Sequence, residues 1–390
     1  MAHCGPLFFR YDRQWLESGH DLSPLCLPFD EAPKNLHDLP DGVPGLIGDC
    51  LPDAWGRRVA EAVFAKHGFG RPTPMKLLGW VGARGLGALS FRPPVMRSPL
   101  MLEISAASLA REARSIIEGS IDEVLVGLEA GGSAGGAYPK TLVVLRPDGS
   151  LRTGGSIEHL NEADVPCLLK LHVVGALGHN AEFAYMRMAE AAGIATMPSR
   201  LLVDEEGRSH LLVERFDVDP QGKRNHVHSL AGLLHAPKDG LDYAKLMQAT
   251  TRLGCPCSDL LEVARRLVFN LLAVNQDDHA KNHAFLYREE GRQWELAPAF
   301  DLTFSEGIIR GMKIAGEDVP EKARLTAWLE SSGLSREALD GVFESVRSAI
   351  DSWRHFADDA GVREDQRDRI SGAHARIARM VFGEKRGVKV

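Results

Sequence analysis

The sequence predicts an α+β protein in which a small β-rich lobe precedes a larger helical one, and three observations carry that prediction. Between about residues 121 and 217 the chain is a series of short β-like runs joined by turn residues. TLVVL, RPDGS and LRTGG read as one hairpin, and LLVDEEGRSHLLVERF as a second with its turn near Gly207. Beyond about residue 228 the apolar period becomes helical: SDLLEVARRLVFNLLAVNQ places Leu260, Val263, Leu267, Leu271 and Val274 on one broad face, with Ser258 as the cap. The stretch PPVMRSP, Pro93 to Pro99, marks a linker, because prolines cannot donate to a helix or a sheet ladder. Three regions follow: an N-terminal subdomain over 1–95, a small lobe over 121–217 and a helical lobe over 218–390.

Residues 1–95 read as irregular and proline-punctuated (LSPLCLP, LPDGVPG, RPTP), apart from a helix in PDAWGRRVAEAVFAKHG with Asp53 as its N-cap and Gly68 as its stop. CLLKLHVV is a buried-strand candidate. NAEFAYMRMAEAAG reads as a helix with Asn180 at its cap, Glu182 in its first turn and Gly193 at its end. A third hairpin, AFLYREEGRQWELAP, interrupts the helical lobe, which returns to helix from about 334 to 382. No internal repeat or low-complexity tract is present.

At 390 residues, with 44% hydrophobic and 25% charged residues, the chain has the composition of a folded protein, which excludes disorder and coiled coil. No run approaches the roughly 20 apolar residues of a membrane span, and MAHCGPLFFRYDRQW lacks a charged start followed by an apolar stretch, so neither membrane insertion nor export is expected. Six cysteines are sparse, and the Cys255–Cys257 CPC matches neither redox nor zinc spacing; reduced, cytoplasmic thiols are expected. The net charge of −7 argues against a broad basic face, so any DNA contact is expected through a partner.

The most informative stretch is NQDDHAKNHAFL, where Asp277 and Asn282 are spaced D-x-x-x-x-N. In the catalytic loop of protein kinases that spacing lets the aspartate accept the proton of an attacking hydroxyl while the asparagine reaches a magnesium ion on the phosphates. Alone, the spacing equally describes a polar, solvated helix end. Downstream, APAFDLTF puts Asp301 after an apolar strand, as a second magnesium ligand or simply a turn cap. Upstream, the glycine cluster of GGSAGGAYPK permits close backbone approach to phosphate, although it lacks both GxGxxG and the Walker pattern and also suits a flexible turn.

Lys170 sits within an apolar strand and must find an anion or turn its amine outward from an edge. Glu182 pairs with it in the kinase reading, though an acid in the first turn also suits the helix dipole. Glu214 to Phe216, where the small lobe ends, offer backbone groups to a purine edge. A competing reading takes Asp278, His279 and His283 as a metal site of a hydrolase; it leaves the glycine loop, Lys170 and Asp301 unexplained. Glycine loop, strand lysine, helix glutamate, D-x-x-x-x-N and later aspartate occur in the order a kinase requires.

These segments identify a family resemblance. SAGGAYPK from Ser133 to Lys140, LLKL around Lys170, NAEFAYMRMAEAAGI, LVERFD, DDHAKN and PAFDLT resemble the HipA-type serine/threonine kinases, toxins of bacterial HipBA toxin–antitoxin modules. FRYDRQWL, LSPLCLPF and DCLPDAWGRR resemble the N-terminal subdomain of that family, so the likeness covers most of the chain.

The resemblance implies a two-lobed protein-kinase-like fold that uses ATP and Mg2+. Asp277 would be the general base and His279, Ala280, Lys281 and Asn282 a nucleotide-binding loop. Asn282 and Asp301, the latter beside Phe300, would hold magnesium. Gly135, Gly136, Ala137, Tyr138, Pro139 and Lys140 would cover ATP, Lys170 would contact its phosphates, and Glu214, Arg215 and Phe216 would hold the adenine. Ser133 matches the autophosphorylated serine. The implied partners are a HipB-like helix-turn-helix antitoxin and an aminoacyl-tRNA synthetase as protein substrate; a catalytically idle scaffold that binds the antitoxin is the alternative. Tyr138 and Pro139 stand where the best-known members carry polar residues. Asp278 adds a second acid beside the base, expected to point away from it.

Overall fold

The computed structural model describes residues 8–36, 39, 42–96, 101–120, 125–131, 135–153, 160–173 and 179–383. The chain divides into two compact units. One comprises residues 1–179, 198–228 and 286–289; the other comprises 180–197, 229–285 and 290–390.

The first unit is built on a six-stranded sheet. Its strands, in spatial order, are Leu102–Glu103, Leu151–Thr153, Lys140–Leu145, Val165–Lys170, Ser209–Glu214 and Ser199–Val203. Both expected hairpins form. RPDGS reverses the chain with Gly149 in the left-handed region and sets Val144 opposite Arg152, and Gly207 turns the second, setting Val203 opposite Ser209. Val165–Lys170 is an interior strand, bonded to Lys140–Leu145 on one side and Ser209–Glu214 on the other. The edge-strand alternative for Lys170 therefore fails.

Residues 8–96 hold more helix than their prolines suggest. Besides Ala54–His67 there are helices Arg13–Ser18, Gly45–Gly48 and Pro74–Val81. In RPTP the second proline occupies the first helical turn behind Thr73, whose hydroxyl accepts the Lys76 N–H; Pro there loses no hydrogen bond. Trp55, Val59, Val63, Phe64, Leu77 and Trp80 pack in one core with Val143, Leu169 and Leu212 of the sheet. The loop between Ala83 and Leu89 is gripped by Arg224, which donates to four backbone carbonyls, those of Ala83, Gly85, Gly87 and Leu89.

The second unit is mostly helical. Cys257–Leu272 is its central helix, and Val263, Leu267 and Leu271 on the expected face are fully buried. Pro256, not Ser258, occupies the N-cap position, so the helix starts two residues earlier than the Ser signal implies. Tyr243–Arg252, Arg336–Asp351 and Glu364–Phe382 pack against it, and Asn180–Ala191 and Trp353–Asp359 pack on each other and on Arg336–Asp351. Asn180 is the first helical residue and not the cap, because its Nδ2 is drawn to the carbonyl of Ala360 at 2.7 Å. Tyr185 anchors this bundle: its hydroxyl donates to Ala273 O at 2.6 Å and its ring stands edge-on to Trp353. The third hairpin forms as strands Ala284–Arg288 and Gln293–Leu296, closed by Ala297 N–H on Ala284 O.

Candidate active site

In the second unit the helix Cys257–Leu272 ends at Ala273, and Val274 follows with φ 56°. A β-branched residue is strained there, so the surroundings must hold it. They do: Ser305 N–H donates to Val274 O at 3.0 Å, and Gln276 N–H to Ser305 O at 3.2 Å. The Ser305 hydroxyl also accepts from Gln276 N–H at 2.7 Å and Asp277 N–H at 2.8 Å, and donates to Asn275 Oδ1 at 3.2 Å. One serine thus fixes the three residues that lead into the candidate base.

Asp277 is exposed, whereas its neighbour is not. The Asp278 carboxylate faces inward and accepts from Arg310 Nη1 at 3.0 Å and from the Tyr243 hydroxyl at 3.0 Å. Asn270 Nδ2 donates to the same hydroxyl at 3.0 Å, and Asn275 Nδ2 to Asn270 Oδ1 at 3.1 Å. Burial outweighs the Arg310 charge and pushes the Asp278 carboxyl up to about 6. The expected opposite orientation of the two acids is what the structure has.

After Asp278 the chain makes a 3-10 turn, Ala280–Asn282, held by Ala280 N–H on Lys238 O at 2.8 Å. Asn282 Nδ2 returns to donate to Asp277 O at 3.0 Å, which closes the D-x-x-x-x-N loop and leaves Oδ1 as the atom able to meet a cation. His279 is half-buried and abuts Gly311, where an added Cβ would lie 2.7 Å from both N and Cα of His279. Buried His283 stacks edge-on against Tyr243 with neither ring nitrogen hydrogen-bonded, and burial pushes it down to about 3. With Arg266, Asn270, Asn275, Asp278, Asn282, Ala299, Phe300 and Leu302 it lines a cavity of about 10 Å3, room for one water.

The hydrolase reading is not favoured by these positions. Asp278 is committed to Arg310 and Tyr243, and among the described residues no three His, Cys, Asp or Glu side chains gather as a metal cluster. A magnesium ion needs less, since it keeps waters and takes one or two carboxylates together with phosphate oxygens. Asp301 and Asn282 Oδ1 suit it as hard donors. Asp301 is partly exposed with φ 53°, a left-handed conformation that aspartate tolerates, and Ala299 N–H on Ala195 O at 2.8 Å ties down the strand end that carries it.

In the first unit Lys140 and Lys170 are buried Cα partners on adjacent strands. Two ammonium side chains on neighbouring strands of one sheet suit the binding of a phosphate. Gly135, Ala137 and Tyr138 are exposed. Gly136 has φ +109° beneath the Lys140 ammonium, a place only glycine fits. Its N–H is not open to a phosphate, because it donates to Asp53 Oδ2 at 3.0 Å.

Glu214 ends its strand with N–H on Pro198 O, and Phe216 is half-buried. The Arg215 guanidinium turns into the fold, with Nε and Nη2 on the two oxygens of buried Asp217 at 2.9 and 2.7 Å, so its side chain is a strut and not a ligand contact. Ser133 lies outside the described residues. Sequence reasoning missed Tyr243, Asn270, Ser305, Arg310 and Gly311. They lie far from the motif in the chain, and no spacing signals them.

A family model described as the HipA N-terminal domain matches residues 3–92, and one described as the HipA-like C-terminal domain matches 132–370. The relative named "Putative kinase Y4mE" of Sinorhizobium fredii (strain NBRC 101917 / NGR234) is 25% identical over 384 residues, covering 92% of this chain and 81% of its own. "Putative kinase Y4dM" of the same strain is 30% identical over 199 residues, 44% of this chain and 46% of its own. Among solved structures, HipA of Shewanella oneidensis MR-1, in complex with HipB and operator DNA, superposes with a TM-score of 0.70 at 18% identity, over 97% of this chain and 92% of that one. The α+β, protein-kinase-like fold expected from the sequence is the fold found. With both domain models matched in order along it, the chain belongs to the HipA family.

Proposed function

We propose that the chain is an ATP- and Mg2+-dependent serine/threonine kinase that acts as the toxin of a toxin–antitoxin pair. The observation that carries this reading is the divergence of two adjacent acids. Asp278 is buried in an ion pair, while Asp277 is presented to solvent on a loop fixed by Ser305 and Asn282. That suits a general base: a solvent-accessible carboxylate on a backbone held in place.

In this reading Asp277 orients the attacking hydroxyl and takes its proton as the bond to the γ-phosphorus forms and the bond from that phosphorus to the bridging β-phosphate oxygen breaks, with ADP as the leaving group. Asn282 and Asp301 would hold the magnesium, which supplies charge neutralisation on the phosphate oxygens. Lys170, beside Lys140, binds phosphate. The exposed residues Gly135, Ala137 and Tyr138, with the half-buried Pro139, cover the nucleotide, and the backbone of Glu214 to Phe216 meets the adenine. His279 to Lys281, with Phe300, line the nucleotide loop. Ser133 is the expected self-modification site.

A HipB-like helix-turn-helix protein is the proposed partner, in keeping with the HipB-bound HipA of Shewanella, and DNA would be reached through it. An aminoacyl-tRNA synthetase is the proposed substrate, on family resemblance. The chain carries no helix among the described residues long and apolar enough to cross a membrane.

Transfer from labelled ATP tests the reading. Wild type should label itself, Ser133→Ala should lose that label while still labelling a target, and Asp277→Asn should transfer nothing. Equal labelling by wild type and Asp277→Asn rejects the assignment. Nucleotide binding without transfer to any protein would favour the idle scaffold.

A further inference from the structure

We propose that the helix Ala54–His67 is a clamp that sets the backbone of the Gly135–Lys140 segment, with Asp53 as its positioning residue; the proposal rests on the nucleotide reading above. Asp53 occupies the N-cap position with extended backbone, where an aspartate ordinarily accepts an N–H of its own helix. It makes no such bond. Its Oδ2 instead accepts the N–H of Gly136 at 3.0 Å, and two residues on, the Trp55 N–H donates to Gly136 O at 3.1 Å. Both polar groups of the Gly136 residue are therefore bonded to the start of one helix. The indole Nε1 of buried Trp55 adds a bond to Lys140 O at 2.9 Å, at the end of the loop.

The far end of the same helix holds the residues that precede the loop. Lys66 and His67 each meet a different oxygen of Glu129 at 2.8 Å, and Arg84 donates to the backbone oxygens of Glu129 and Ala130. Fourteen residues at 1.5 Å rise separate the two grips by roughly 20 Å. Glu129, Gly136 and Lys140 are thus all held by the same helix.

Glycine loses more freedom on ordering than any other residue, so an unheld glycine loop must be ordered by its ligand. A loop already held in the required shape binds more tightly, because less order is created on binding. Asp53 acts through Gly136 and does not touch nucleotide; its N–H bond fixes the φ +109° conformation of that glycine.

The experiment uses the full chain and three variants, Asp53→Ala, Asp53→Asn and Trp55→Phe. Amide hydrogen exchange over residues 136–140, the KM for ATP, kcat and the unfolding midpoint are read for each. Asp53→Ala should speed exchange and raise the KM for ATP about tenfold, with kcat changed less than about threefold, as expected for the loss of one hydrogen bond to a carboxylate. Asp53→Asn should stay close to wild type, because its amide oxygen accepts the same N–H. Trp55→Phe keeps an aromatic ring in the core and should shift exchange in the same direction as Asp53→Ala.

Exchange as slow in Asp53→Ala as in wild type overturns the clamp, and so does faster exchange with an unchanged KM. An Asp53→Asn variant as impaired as Asp53→Ala overturns the hydrogen-bond role. A wild type that binds no ATP removes the nucleotide reading, while the exchange comparison still decides whether Asp53 orders the loop.

Discussion

Arg310 Nη1 lies 3.0 Å from Asp278 Oδ2, with side chains only 3% and 1% exposed, one residue after the solvent-facing Asp277. Adjacent aspartates in one motif are therefore assigned opposite work by their surroundings. Replacing Asp277 removes no packed contact, and Asp277→Asn should leave the urea unfolding midpoint within experimental scatter while abolishing phosphate transfer. Replacing Asp278 strands a buried guanidinium, and Asp278→Ala should cost about 3–5 kcal/mol of stability. Chemical denaturation of the two variants side by side checks this; equal midpoints would contradict the division of roles.

The same buried groups set an acid response. Asp278 is pushed up to about 6 from 3.8, so the folded chain holds this proton more tightly. Its stabilising contribution is full below pH 4 and is lost as pH rises through about 6. His226 and His374 act in the other direction. Burial, with the His228 ring beside it, pushes His226 down to about 3 against the opposing pull of the Leu22 carbonyl and the Asp49 carboxylate. Burial beside Tyr185 and Trp353 pushes His374 down to about 4, against the opposing hydrogen bond to Ala273 O. The unfolded chain protonates these first, so stability falls as pH drops below 6.5. Urea midpoints across pH 4.5–7.5 should decline toward acid. His374→Gln should flatten that decline, and Asp278→Asn, which removes the opposing term, should steepen it.

What was legible in the sequence was local. Gly149 and Gly207 announced their turns because left-handed backbone is a property of single residues, and Asp277 with Asn282 announced a loop because six residues suffice to close it. Pro74 misled, since proline in a first helical turn looks the same in sequence as proline in a linker. Asp53 was placed correctly at its helix end, yet its side chain left the helix for Gly136, 83 residues away. Ser305 and Arg310 were invisible for the same reason: each acts on the Asn275–Asp278 stretch from about thirty residues downstream, and only the fold selects that partner.

Lys170 offers a test that separates chemistry from folding. It is 7% exposed on an interior strand, directly opposite Lys140. Methionine of similar length fills the same space on the strand, so the unfolding midpoint of Lys170→Met, read alongside binding, separates a lost contact from a lost fold. The loss of a charge-assisted contact to phosphate should weaken ATP binding roughly ten- to a hundredfold. Titration calorimetry with ATP and magnesium reads this directly, and unchanged affinity would remove Lys170 from the nucleotide site.

Gly311 has no sequence signal and no unusual backbone angle, yet it decides where His279 sits. Its N–H donates to Gln276 O at 2.9 Å, and a Cβ placed on it would meet the backbone N and Cα of His279 at 2.7 Å. Backbone cannot yield as a side-chain tip does, so Gly311→Ala must displace the His279–Asn282 turn or its own strand. The Asn282 bond to Asp277 O lies on that turn, and a displacement of about 1 Å near a reacting centre costs about a hundredfold in rate. The expected result is a kcat lowered by about that factor. The Lys140–Lys170 pair, part of the other unit, should keep its phosphate affinity, so binding measured separately from turnover distinguishes a misplaced base from a lost nucleotide site.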